Sequence, residues 1–139
     1  MSFTAKDILQ MQVAPALGCT EPVAIALGAA AAASLLPGKE FDSIEIWLDP
    51  NIYKNGLGVI IPGTRGMVGL DTASVLGALG GDPQRGLEVL EPINDEIVSK
   101  AQKFLAEKEV TVHLLNQSGL RIHTVIYSGS DKAESLITH

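Results

Sequence analysis

The chain has 139 residues, of which 46% are hydrophobic and only 4% aromatic, and its formal net charge is −6. That length and apolar fraction fit one domain with an aliphatic, alanine-rich core and exclude a disordered chain. The acidic balance, with no Lys/Arg cluster to offset it, excludes a nucleic-acid-binding face.

The start, MSFTAKDILQ, lacks a basic region followed by an apolar stretch, so no signal peptide is expected. Thr4 as cap, Asp7 in the first turn and Ile8, Met11 and Val13 as apolar positions predict a helix over 4–14, broken by Pro15. ALGC then reads as a connector. A second helix is predicted from Thr20, with Glu21 suited to the positive end of the dipole and Pro22 tolerated in the first turn. It runs through VAIALGAAAAASLL to Pro37-Gly38, and being apolar nearly all round it should be buried. Its apolar run, Val23 to Leu36, is too short and too rich in small residues to span a bilayer.

In FDSIEIWLD, Phe41, Ile44, Ile46 and Leu48 alternate with polar residues, Trp47 excepted, which predicts a strand over 43–48. PNIYKNGLGVIIPGTRG carries glycine and proline punctuation around Leu57 to Ile61 and reads as loop, with room for one short strand. Val68, Ala73, Leu76 and Leu79 have helical spacing that ends at Gly80-Gly81, and Gly69 and Gly77 suit close packing. DPQRGLEVLEP has room for one helical turn. INDEIVSKAQKFLAEKE is an amphipathic helix with Ile93, Ile97, Ala101, Phe104 and Leu105 on one face and Asn94 as its cap. VTVHLLNQSGLRIHTVIYSG alternates, turns at NQSG and alternates again, which predicts a β-hairpin. AESLITH begins a third strand. The order predicts an α+β fold, with buried helices on a small mixed or antiparallel sheet and a C-terminal hairpin.

Two stretches are candidates for chemistry. Cys19, the single cysteine, immediately precedes a predicted helix N-terminus, where free N–H groups and the dipole favour a thiolate. The ordinary alternative is a small buried residue at a tight turn. One cysteine allows no internal disulfide, so a reducing, cytoplasmic setting is expected. NIYKNGLGVIIPGT offers Asn51, Lys54, Asn55, Gly63 and Thr64 in glycine-rich loops, with Lys54 as a positive charge or, when desolvated, a base. Here the alternative is a turn-rich connection with a solvated lysine. No GxGxxG or P-loop pattern is present. His113 and His123 have no HxH or HExxH spacing for zinc and read as surface or half-buried residues. A thiol enzyme would need one of them within hydrogen-bond reach of Cys19. The acids at 82, 88, 91, 95 and 96 read as helix starts and solvated faces.

Taken together, PALGCTEPVAIAL and the later YKNGLGVIIPGT resemble the family of L-cysteine desulfidases, relatives of the iron–sulfur L-serine dehydratases. The resemblance covers essentially all of 1–139, as the N-terminal portion of that family's catalytic domain. It implies a lyase of amino-acid catabolism that eliminates H2S or water from L-cysteine or L-serine and releases pyruvate and ammonia. The cofactor it implies is a [4Fe–4S] cluster, without pyridoxal phosphate, whose open iron stabilises the leaving group. Cys19 would then be an iron ligand or the base for the α-proton, and Lys54 a second catalytic group. Thr20, Glu21, Asn51, Asn55, Gly63 and Thr64 would bind substrate. Such a cluster needs three or four cysteines, so a C-terminal portion or a second subunit would bring the rest, and a homo-oligomer is compatible. This chain alone would bind no cluster and be inert. The alternative is a non-catalytic ligand-binding or assembly module of the same fold.

Overall fold

The alanine run at 29–33 and the glycines at 28 and 77 set how closely the layers of this chain approach. The computed structural model describes residues 8–12, 21–58, 60–61, 64 and 66–138. Its described strands are β1 (Ile8–Gln12), β2 (Ser43–Leu48), β3 (Glu109–Leu114), β4 (Arg121–Ser128) and β5 (Asp131–Thr138), and its α-helices are α1 (Glu21–Ser34), α2 (Pro50–Gly56), α3 (Leu70–Gly80) and α4 (Asp95–Glu107). A 3-10 segment, Pro83–Glu88, joins α3 to α4.

The strands form one mixed sheet in the order β1-β5-β4-β2-β3. β1 and β5 are parallel, as are β2 and β3, while β4 is antiparallel to both of its neighbours. Ile44, Ile46 and Leu48 of β2, Ile122, Thr124 and Ile126 of β4, and Ala133, Ser135 and Ile137 of β5 are buried. These period-2 sets line one face, onto which the helices pack.

α1 is buried on every side from Val23 to Ala33 because it lies between the sheet and α3. On its sheet side, the Ser135 hydroxyl donates to the Gly28 carbonyl at 2.6 Å. A Cβ on Gly28 would meet Thr124 Oγ1 at 3.2 Å. On its other side, a Cβ on Gly77 of α3 would lie 2.2 Å from the Ala26 carbonyl oxygen. Two backbones thus meet where only hydrogen atoms separate them. α4 closes the stack through Ala101 and Phe104, and Asn94 caps it, its side chain accepting from the Ile97 N–H at 2.9 Å.

The α+β class and the C-terminal hairpin stand, but several elements differ from the pattern reading. The helix expected over 4–14 is in its described part the strand β1, paired in register with β5. The stretch read as loop from Pro50 contains helix α2, because the buried Asp49 carboxylate caps it by accepting from the Ile52 N–H at 3.0 Å. The two strands predicted as a hairpin across NQSG both form, yet β2 lies between them. The hairpin is instead β4–β5, turned by Gly129-Ser130 with Gly129 at φ 61°, a left-handed value suited to a two-residue turn. The predicted cap Thr20 lies outside the described residues. No described helix is long and apolar enough to cross a membrane.

Replacing Gly77 with valine should destabilise the fold by about 3 kcal/mol or prevent folding, because the atom in the way is backbone and cannot swing aside. Thermal unfolding followed by circular dichroism measures this, with Ala78→Gly as a control that removes volume instead.

Candidate functional site

The sheet face opposite the helices carries a connected polar and aromatic layer. Trp47 departs from the alternation of β2 only in residue type; its position, between buried Ile46 and Leu48, is outward. Register places it beside His113 of β3 and His123 of β4, so three rings share one row across three strands. Trp47 stacks on His113 with centroids 4.9 Å apart and planes 16° apart, and on His123 at 5.1 Å and 27°.

Each imidazole is held by a carboxylate on a neighbouring strand. His113 Nε2 lies 2.8 Å from Glu45 Oε2, and His123 Nε2 lies 2.7 Å from Glu134 Oε1. An ionised carboxylate only accepts, so the proton shared in each contact sits on Nε2. Glu45 also accepts from the Tyr127 hydroxyl at 3.1 Å. Desolvation, and then the hydrogen bond and negative charge of Glu45, raise the Tyr127 pKa and keep the phenol a donor. The four paired side chains are between 16% and 38% exposed, which leaves them accessible to a small solute.

The site residues expected from the sequence lie outside this row. Cys19, Thr20 and Gly63 lie outside the described residues, and Glu21 is the first residue of α1. Asn51, Lys54 and Asn55 are exposed on α2 at i, i+3 and i+4, so the structure brings these three to one side of a single short helix. Asn51 also lines a cleft of about 460 Å³ with Asn116, Gln117 and Ser118; Lys54, Asn55 and Thr64 are not among its lining residues. Thr64 is buried, and its hydroxyl donates to the Ile61 carbonyl at 2.6 Å while accepting from the Met67 N–H at 3.1 Å. Its described bonds are those of a loop brace.

Asp49, absent from the sequence reading, is the most constrained acid. It is 1% exposed. Besides capping α2, its second oxygen accepts from the Arg121 N–H at 2.7 Å, and its own N–H donates to the Arg121 carbonyl at 3.0 Å. It ties the end of β2 to the start of β4. The signal that could have found it is the Asp-Pro step after a strand, an N-cap followed by proline at the first helical position. The signal for the aromatic row is Trp47 itself, the one break in the polar half of its strand.

Among the described residues, no group of three or more His, Cys, Asp and Glu side chains is placed to hold a metal ion. His113 and His123 bond carboxylates through Nε2, and Cys19, the other half of the expected thiol–histidine pair, lies outside the described residues.

The chain is 61% identical over 138 residues to a UPF0597 protein of Desulfotalea psychrophila, a match covering 99% of this chain and 32% of that protein. It is 58% identical over 139 residues to a UPF0597 protein of Desulforapulum autotrophicum, covering 99% and 31%. With the UPF0597 protein YhaM of Salmonella gallinarum it shares 48% identity over 127 residues, covering 90% and 29%. The chain thus spans about a third of the length of these relatives. No family model matches it. No solved structure matches it.

These matches overturn the expected place among L-cysteine desulfidases and iron–sulfur L-serine dehydratases. Proteins similar to nearly the whole chain carry the UPF0597 name, and none of those named above is called a lyase or an iron–sulfur protein. The expected H2S- or water-eliminating reaction falls with that assignment. The non-catalytic module offered as its alternative gains no support from them either.

Two outcomes are expected. Asp49→Ala should destabilise the fold by about 3 kcal/mol, since it removes a cap and leaves the Arg121 N–H without its acceptor; Asp49→Asn should cost less, and urea unfolding of both measures it. In a spectrophotometric titration, Tyr127 should ionise above the ordinary phenol range. Its hydrogen bond to Glu45 stabilises the fold below the unfolded phenol pKa and is lost as pH rises through the raised folded value. Tyr127→Phe should remove the late absorbance step.

Proposed function

We propose that this chain supplies an acid–base face to a longer protein, and that the face binds a small polar solute and moves protons on it. One observation carries the reading: two imidazoles, each held through Nε2 by a carboxylate, flank Trp47 on a half-exposed sheet face. A carboxylate that fixes the Nε2–H tautomer leaves Nδ1 as the basic nitrogen, turned toward a solute whose proton it can take. Tyr127 adds a phenol that keeps its proton, hydrogen-bonded to the same carboxylate as His113. Base, orienting acid and donor are thus connected through Glu45. Trp47 keeps the two rings apart and adds a flat apolar wall.

The coverage of the relatives supports a longer whole, since their chains extend to about three times the matched length. The single cysteine, which allows no disulfide within this chain, supports a reducing, cytoplasmic setting for these residues.

The test is the tautomeric state of the two rings, read from long-range nitrogen–proton correlations in alkaline buffer. Both should be Nε2–H. In Glu45→Gln the preference at His113 should weaken, while His123 is unchanged. A wild-type ring found as Nδ1–H would overturn its role as a base. Trp47 is the only tryptophan, so its fluorescence then screens small acids, amides and amines. A ligand response that survives in the His113→Gln, His123→Gln double variant would place binding elsewhere.

A further inference from the structure

Helix α4 turns one edge toward the loop between α1 and β2, and a cleft of about 890 Å³ opens between them. Its walls collect Lys39 from the loop and Lys100, Lys103 and Lys108 from α4 and its C-cap, four of the ten basic residues in the chain. Positions 100, 103, 104 and 107 recur at helical spacing, which is why one edge of α4 presents them together. Phe41, Phe104 and Leu79 supply apolar lining, and Phe41 and Phe104 are buried.

Three acids share the cleft: Glu40, Asp42 and Glu107. The lining therefore carries one net positive charge on a chain whose net charge is −6. Among the described residues none of the four ammonium groups is ion-paired with those acids. Asp42 is engaged with the Gly129 N–H of the β4–β5 turn. Lys100 pairs instead with Glu96 at 3.4 Å, a solvent-exposed contact of small energy. Lys39, Lys103 and Lys108 form no ion pair among the described residues.

Lys39 is the most constrained of the set. Its ammonium donates to the Ala78 carbonyl near the end of α3 at 3.2 Å, and α3 has no basic residue of its own in its last turn. One donor is used in that way, and an ammonium has three. Partial burial lowers its pKa, although the residue remains open to solvent. Capping α3 explains where Lys39 sits; it does not explain two further lysines gathered without partners around an open cleft.

We propose that this cleft binds a small organic anion, a phosphate ester with an apolar body, its phosphate held by Lys39, Lys103 and Lys108 and its body lying over Leu79 and the small exposed edges of Phe41 and Phe104. The site lies outside the histidine–tryptophan row, and the two readings stand or fall separately. Phosphate suits the site because several ammonium groups can share one multiply charged group with three acceptor oxygens.

Phenyl phosphate is the probe, with inorganic phosphate and benzyl alcohol as its two halves. Calorimetric titration should give binding by phenyl phosphate tighter than by either half, weakening with salt. Lys39→Met, which keeps the side-chain stem, should weaken it about tenfold or more, and Lys39→Arg should retain most of it. Circular dichroism confirms that each variant folds, and Lys103→Met with Lys108→Met removes charge without touching the α3 contact. No binding of phenyl phosphate, equal binding of benzyl alcohol, or undiminished binding to either folded Met variant would overturn the site. Trp47 fluorescence should remain unchanged on binding, whereas a large change would move the ligand to the aromatic row.

Discussion

Everything in this fold is arranged around one close crossing, the place where Gly77 of α3 meets the backbone of Ala26 in α1. No side chain fits between them. Because the crossing is that tight, α1 can be sealed by α3 on one side and by β4 and β5 on the other. A helix with bulkier residues would hold these layers apart, and water would reach the Gly28 carbonyl that the Ser135 hydroxyl now bonds. The alanine run is therefore a spacing device as much as a helix former. The core it yields is aliphatic and thin, which agrees with a chain that has only 4% aromatic residues.

With the helices committed to one face of the sheet, the other is free to carry polar groups. The rings of Trp47, His113 and His123 stand in a row because strand register is strict: a shift by one residue would bury them and expose Ile46, Ile122 and their neighbours. The same apolar pattern that drives folding thus fixes the geometry of the histidine–carboxylate pairs. Asp49 works in the same direction at the end of the row, tying β2 to β4 beside the position where Leu48 faces Ile122.

Local chemistry was legible in the sequence wherever it was decided locally. Asn94 reads as a cap and is one, and 43–48 alternates and is a strand. What depended on distant partners was not legible. Ile8 to Gln12 has no pattern that separates strand from helix, and only the parallel pairing with β5 decides it. Alternation in 110–126 reports two strands but says nothing of what lies between them, and β2, more than sixty residues earlier in the chain, does. The histidines looked ordinary because their carboxylates stand 68 and 11 residues away. Lys54 and Asn55 were drawn together by a motif and do share one side of α2, yet that side is exposed. Cys19, the other candidate for chemistry, lies outside the described residues.

The strand order has a consequence for how the chain is made. β5, the last described strand, pairs with both β4 and β1, the latter being the first strand described. A ribosome therefore releases β1 long before its described partner β5, whereas α1 can pack on α3 earlier. Until β5 emerges, β1 lacks its described sheet partner and the part of α1 that faces β5 has no cover. Contacts of such long sequence separation slow folding and keep an unpaired edge and an apolar helix in solution meanwhile. Nascent chains that stop just short of Asp131–Thr138 are therefore expected to be the most prone to aggregate.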